Sequence, residues 1–369
     1  MKRNIIIAIL LGLCVFIYFR QQDKNYYDMI NAVSGATPLA IAVDVPDNIS
    51  LTVDGLVKQE YRFSASALSG FASNRIRTRE FTADGSYLGA YSYAGIPVFN
   101  ILEGIAPKKP ADAAFNQPQD IVVVFTAASG RRAAFSFNEI IMADDSLPVT
   151  LAYHREQIMP TNDEVRDSYQ KNRYTQNLSG LRLIAPREPD DARYLDNVVR
   201  ITYTVFDMPD QLLPPRDKGR RCASDTIRCV DGTQVRPAAC DGVERKIKAR
   251  WAMIGHGHGY EKTVSVEGFD LRSFLEVNFK GAGAGDYFLF VACDGYRCLF
   301  SGKEIFSIDS GRSMMIADRI DGQKPAAGFQ LVPAADFFAD RSLWALSHVV
   351  RIHPPNSWET LLNVESKLH

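Results

Sequence analysis

The feature that most limits how this chain can fold is an internal repeat. Phe125–Ile140 reads FTAASGRRAAFSFNEI and Phe290–Ile305 reads FVACDGYRCLFSGKEI. The two agree without a gap at Phe, Ala, Gly, Arg, Phe, Ser, Glu and Ile. Two flanking segments recur in the same order. SYAGIPVFNILE at Ser92–Glu103 parallels SVEGFDLRSFLE at Ser265–Glu276, and VVRI occurs at Val198–Ile201 and again at Val349–Ile352. Three co-linear matches point to two copies of one unit, placed at 49–207 and 245–354. A chain of 369 residues has length for two cores.

Local patterning says that each copy is rich in strands. Ile49–Val53 alternates apolar and polar and ends at Asp54-Gly55, a turn pair. Ile121–Phe125 is apolar throughout, and Val198–Val205 is a third strand candidate. Short helical stretches lie between, such as Pro97–Glu103. Residues 208–244 hold Pro214-Pro215, many charges, Cys222, Cys229 and Cys240, and read as a linker. Residues 355–369 read as a C-terminal tail.

The N-terminus addresses the compartment. Met1-Lys2-Arg3-Asn4 precedes an apolar run from Ile5 to Phe19, which Arg20, Gln21, Gln22, Asp23 and Lys24 stop. A basic start with a short apolar run is an export signal. No small-x-small cleavage site follows, so residues 1–20 read as a retained anchor, with a cleaved signal peptide as the alternative. The run is shorter than the ~20 residues of a typical span, and Tyr18 and Arg20 can extend its reach at the interface. Residues 21–48 form a polar tether, and the globular part is expected outside the cytoplasm, on the periplasmic side if bacterial. A formal net charge of −1 gives no electrostatic footprint for nucleic acid.

The repeat units resemble the molybdopterin-binding domain of the sulfite oxidase family. The resemblance rests on LTVDGLV (Leu51–Val57), AGIPVFNIL (Ala94–Leu102), SGRRAAFSFNEI (Ser129–Ile140), and GLRLIAP (Gly180–Pro186) leading to VVRITYTV. It covers most of 49–205 and, more weakly, 245–354. It implies an α+β fold, and with the repeat and the N-terminal apolar run the expectation is two tandem β-rich units behind an N-terminal transmembrane anchor. It also implies a molybdopterin cofactor whose metal is held by one cysteine thiolate, a soft ligand suited to that metal. No Cys occurs from 15 to 221, and Arg79–Gly85 stands where the first copy should supply the ligand. In the second copy His256 falls near the ligand position, with His258 two residues on and Cys240 upstream. A His-x-His pair between glycines can offer two imidazoles to a metal. The alternative is a glycine-rich turn with solvated histidines.

A second motif points to a different cofactor. Asn31–Thr37 reads N-A-V-S-G-A-T and resembles the D-x-x-S-G-A-T site at which a flavin transferase joins FMN to threonine through a phosphoester. Thr37 would carry the flavin, and Ser34 and Gly35 supply the small, exposed approach. Asn31 replaces the usual acid, and the alternative is a small-residue linker.

The cysteines allow two local bridges, Cys293 with Cys298 across Asp294-Gly295-Tyr296-Arg297 and Cys222 with Cys229, which leave Cys240 over. A tight turn at Asp294-Gly295 would put Cys293 and Cys298 out of register. No G-x-S-x-G elbow occurs, and His154, His348, His353 and His369 lack motif context. The expectation is a membrane-anchored, extracytoplasmic oxidoreductase-like protein engaged in electron transfer, with the membrane at residues 5–19 and a redox or membrane protein as partners. The alternative is a cofactor-free binding or assembly module that keeps the fold only.

Overall fold

The computed structural model describes residues 45–142, 146–159, 175–308 and 313–354. The expected anchor (1–20), nearly all of the tether with Ser34, Gly35 and Thr37, and the tail from 355 lie outside the described residues.

The first copy opens with β1 (Ser50–Gly55), which runs antiparallel to β2 (Tyr61–Ser64) and parallel to β9 (Leu195–Thr204). β5 (Val122–Ala127) pairs antiparallel with β9 and with β6 (Arg132–Ser136). The order is therefore β2-β1-β9-β5-β6. The second copy repeats it strand for strand, with the same orientation at each step. β11 (Gln234–Pro237), β10 (Arg228–Asp231), β18 (Leu346–Ile352), β14 (Tyr287–Ala292) and β15 (Arg297–Ser301) form a five-stranded sheet in that order.

A second layer is also duplicated. β3 (Asn74–Phe81), β4 (Tyr87–Pro97), β7 (Thr150–Gln157) and β8 (Thr175–Ile184) are antiparallel neighbours. β12 (Arg245–Gly255), β13 (Gly259–Asp270), β16 (Met314–Ile320) and β17 (Gln330–Pro333) repeat them. In the first copy β8 also pairs with β9, which merges the two layers into one nine-stranded sheet. The repeated glycines mark where β4 and β13 cross their neighbours. A Cβ on Gly95 would lie 2.5 Å from the Leu151 carbonyl oxygen, and one on Gly268 would lie closer still to that of Ile316. Each position therefore needs a residue without a side chain.

Helices are few and short. α1 (Ala65–Leu68), α2 (Val98–Leu102) and α3 (Phe137–Ile141) belong to the first copy, and α4 (Leu271–Asn278) to the second. α4 starts at Asp270, whose carboxylate accepts the Ser273 N–H at 2.7 Å, an N-cap. It buries Leu271, Phe274, Leu275 and Asn278, the i, i+3, i+4, i+7 face. The expected helix at 97–103 is α2, and the coarser fold expectation, β-rich with short helices, holds.

The fully apolar strands are explained by what covers them. In β14 every residue is buried. Leu289 and Val291 face β5 and β6, packing with Val122, Val124 and Ala134 of the first copy. Phe288 and Phe290 alternate to the other side, into a core that includes Leu275 and Phe300. Burying each such side chain stabilises the fold by ~1.5–3 kcal/mol. Phe125 meets Phe135 edge-to-face at 5.6 Å, and the repeat pair Phe290 and Phe300 does so at 5.4 Å. Tyr287 ties the copies together by donating its hydroxyl to the Ala134 carbonyl at 3.1 Å.

Two expectations need correction. The stretch 208–244, read as a linker, contains β10 and β11, which are the topological counterparts of β1 and β2. Val230-Asp231-Gly232 lies at the end of β10 as Val53-Asp54-Gly55 lies at the end of β1. These strands are four residues each, too short for a periodic signal. The cysteine pairing also differs: the disulfide joins Cys222 to Cys293, 71 residues apart. The turn after β14 is tight, with Gly295 N–H donating to Ala292 O, so Cys298 lies across from Phe290 rather than from Cys293. Cys298 and Cys229 instead point into the second core.

Candidate functional site

The repeated S-x-x-E sequence builds the site. In each copy it forms a capping box at the turn after a strand, Ser136 with Glu139 and Ser301 with Glu304. Ser136 Oγ accepts the Glu139 N–H at 3.0 Å, and Glu139 Oε2 accepts the Ser136 N–H at 3.3 Å. Ser301 Oγ accepts the Glu304 N–H at 3.1 Å, and Glu304 Oε1 accepts the Ser301 N–H at 2.7 Å. Packing of the copies against each other interlocks the boxes. The Ser301 hydroxyl donates to Glu139 at 2.9 Å, and the Ser136 hydroxyl donates to Glu304 at 3.3 Å.

Each glutamate takes an arginine from elsewhere in its own copy. Arg193, just before β9, donates through Nη1 and Nη2 to Glu139 and through Nε to Glu188 Oε1 at 2.6 Å. Its third direction is filled by the Ala134 carbonyl at 3.0 Å. Arg341, in the 3-10 turn Ala339–Arg341, grips both oxygens of Asp336 and donates through Nη1 to Glu304 Oε2 at 2.7 Å. Arg193 stacks over Phe135 at 3.8 Å and Arg341 over Phe300 at 4.1 Å, again the same repeat position.

Four buried carboxylates face two buried guanidiniums, so the junction carries surplus negative charge in a poorly solvated place. Burial pushes Glu188 and Asp336 above the usual carboxylate range. It pushes Glu304 to about 7, against the pull of Arg341. The carboxylates and arginines line a cavity of about 40 Å³, and Arg187 lines it as well. Its remaining wall is apolar, including Phe99, Leu147 and Met314.

The histidines and the cysteine expected at a metal do not meet. His256 and His258 are exposed in the turn between β12 and β13. His256 donates its backbone N–H to Asp340 at 2.9 Å, and its ring meets Phe338 edge-to-face at 4.8 Å. Cys240 is half-buried against the second core, beyond the opposite end of β12. The eleven residues of that strand put roughly 30 Å between its ends. Among the described residues no three His, Cys, Asp or Glu side chains converge as a metal site. In the first copy, the end of β3 runs into a closed turn, where Asp84 accepts the Thr82 hydroxyl and the Ser86 N–H.

A molybdopterin group does not fit these residues. Its metal needs a reachable thiolate. Cys222 and Cys293 are bonded to each other, and Cys298 is fully buried. Burial pushes the Cys229 thiol up to about 12 and raises that of Cys240. An anionic pterin phosphate also needs uncommitted cations, and Arg193 and Arg341 are engaged by carboxylates. No helix among the described residues is long and apolar enough to cross a membrane.

No family model matches the chain, and no curated protein matches it. Among solved structures, the sulfane dehydrogenase SoxCD from Paracoccus pantotrophus aligns over 84% of this chain and 79% of that chain. The identity is 12% and the TM-score 0.31, a likeness too slight to assign a family or an activity.

Sequence reasoning missed the members of the site that come from loops: Arg193, Glu188, Arg341 and Asp336. The repeated S-x-x-E was the signal at hand, since a capping glutamate shared by both copies marked one end of each ion pair.

Proposed function

We propose that this chain is an extracytoplasmic binding or assembly body, held to a membrane by residues 5–19, in which a duplicated molybdopterin-type fold serves without its metal. The observation that carries this reading is the state of the donors. Cys222 and Cys293 are bonded to each other, Cys229 and Cys298 are buried, the half-buried Cys240 has its thiol pushed up by burial, and the buried arginines at the junction are neutralised by the chain's own carboxylates. The long-range disulfide supports an oxidising compartment. The test is metal and pterin analysis of the full chain purified from cells that make the cofactor. Substoichiometric molybdenum, below about a tenth per chain, and no pterin fluorescence are expected. One molybdenum per chain would overturn the reading.

A second reading is favoured by Ser34-Gly35-Ala36-Thr37. FMN on Thr37 would make the body a scaffold for an electron relay, with a redox or membrane protein as its partner. Co-expression with a flavin transferase should then add one FMN to the intact mass, and Thr37→Ala should remove it. An unmodified wild-type mass without flavin absorbance ends this reading.

A further inference from the structure

The two halves of the junction are near copies, and the place where they differ is informative. In the second copy both oxygens of Asp336 are taken by Arg341. In the first copy the turn after β8 supplies Glu188 instead. Its Oε1 accepts Arg193 Nε, while Oε2 is buried and has no partner among the described residues. The Glu188 side chain is only 1% exposed, so water outside the protein does not satisfy that oxygen. A buried carboxylate oxygen without a donor is costly. Glu188 lines the cavity at the junction.

Charge points the same way. Among the described residues the cavity is lined by Glu139, Glu188, Glu304 and Asp336 against Arg187, Arg193 and Arg341, four acids to three bases. Among the described residues, the carboxylate oxygen of this lining that lacks a donor is Glu188 Oε2. A bare divalent ion does not suit the place. Such ions take six or more oxygens, and no cluster of three ligating side chains exists among the described residues. An ammonium head needs only a few acceptors and carries a stem that can lie on apolar surface. Phe99, Ile140, Leu147, Ile308 and Met314 provide that surface, and Leu147 is exposed.

We propose that the cavity between the two copies binds a free small primary alkylamine, its ammonium donating to Glu188 Oε2 and its alkyl chain lying against Phe99, Leu147 and Met314. The proposal rests on the reading of the chain as a binding body and names the ligand class of the same junction. The two fail separately: bound molybdenum would appear in the metal analysis whatever amines do.

The experiment is a thermal-shift titration of the full chain with n-butylamine, with n-butyrate and 1-butanol as controls at equal ionic strength. The amine is expected to raise Tm by a few degrees in a saturable way up to about 50 mM, as a ligand of the folded state does, and the controls are not. Glu188→Gln keeps an acceptor for Arg193 Nε and removes the charge, so it should abolish the shift. If that variant does not fold, Leu147→Trp, which narrows the mouth, should weaken the response at least fivefold. No shift with n-butylamine, an equal shift with n-butyrate, or a full response in Glu188→Gln would overturn the proposal.

Discussion

Replacing Glu304 by Gln should remove a specific part of the pH dependence of stability. Glu304 lies between Arg341 of its own copy and Glu139 of the other, with Asp336 nearby and the hydroxyls of Ser136 and Ser301 around it. Burial raises its pKa from the ordinary 4.5 to about 7. The folded state therefore binds this proton more tightly than the unfolded chain does. The stability contributed by Glu304 is fully present below about 4.5 and is lost as pH rises through about 7. Each tenfold difference in proton affinity between folded and unfolded chain is worth about 1.4 kcal/mol, so the loss over that window is on the order of 3 kcal/mol. Gln is neutral throughout and cannot contribute it. Its amide also cannot accept from Ser301 N–H and Arg341 at once, so the variant should be less stable at every pH by ~1–3 kcal/mol. That offset leaves the slope unchanged. Glu188 and Asp336 are raised by burial too, and keep some slope of the same sign in the variant. The assay is urea unfolding followed by tryptophan fluorescence at steps from pH 5 to 8, comparing midpoints at constant m. His348, whose pKa burial lowers to about 4, adds a slope of opposite sign to both chains, so the difference between them is the test. Equal slopes in wild type and variant would refute the argument that Glu304 is buried with surplus negative charge.

Two further outcomes follow from the same structure. Cys222→Ser with Cys293→Ser opens a loop of 71 residues and should lower stability by ~4 kcal/mol in the chain-entropy view; an unchanged unfolding midpoint under non-reducing conditions would count against the pairing. Arg341→Met leaves Asp336 and Glu304 buried without their cation and should cost ~3–5 kcal/mol, measured by the same unfolding assay, with a change below ~1 kcal/mol arguing that the pair is solvated.

Much of the architecture could be read from the chain alone. The repeat, the apolar run at Ile121–Phe125, the strand at Val198–Val205, the helix after Pro97 and the paired glycines all report local requirements. A strand buried on both faces must be apolar at each position, and a crossing point must lack a Cβ, whatever the rest of the molecule does. The S-x-x-E boxes are local in the same sense, since cap and glutamate are three residues apart. The start of the second copy was missed because β10 and β11 offer four residues each, and only Val-Asp-Gly survives from the first copy.

What the sequence determined by itself, then, is that two like units exist and that each is β-rich. Tertiary structure alone decided which charges and thiols meet. Cys222 finds Cys293 rather than its neighbour, and Arg193 finds Glu139 across 54 residues. The Ser136 hydroxyl reaches Glu304 across 168. The reason is physical: hydrophobic periodicity is imposed residue by residue through the helix and strand repeat, whereas ion pairs and disulfides depend on distances set by the packing of whole sheets. An unpartnered oxygen such as Glu188 Oε2 becomes visible only when every neighbour is in place.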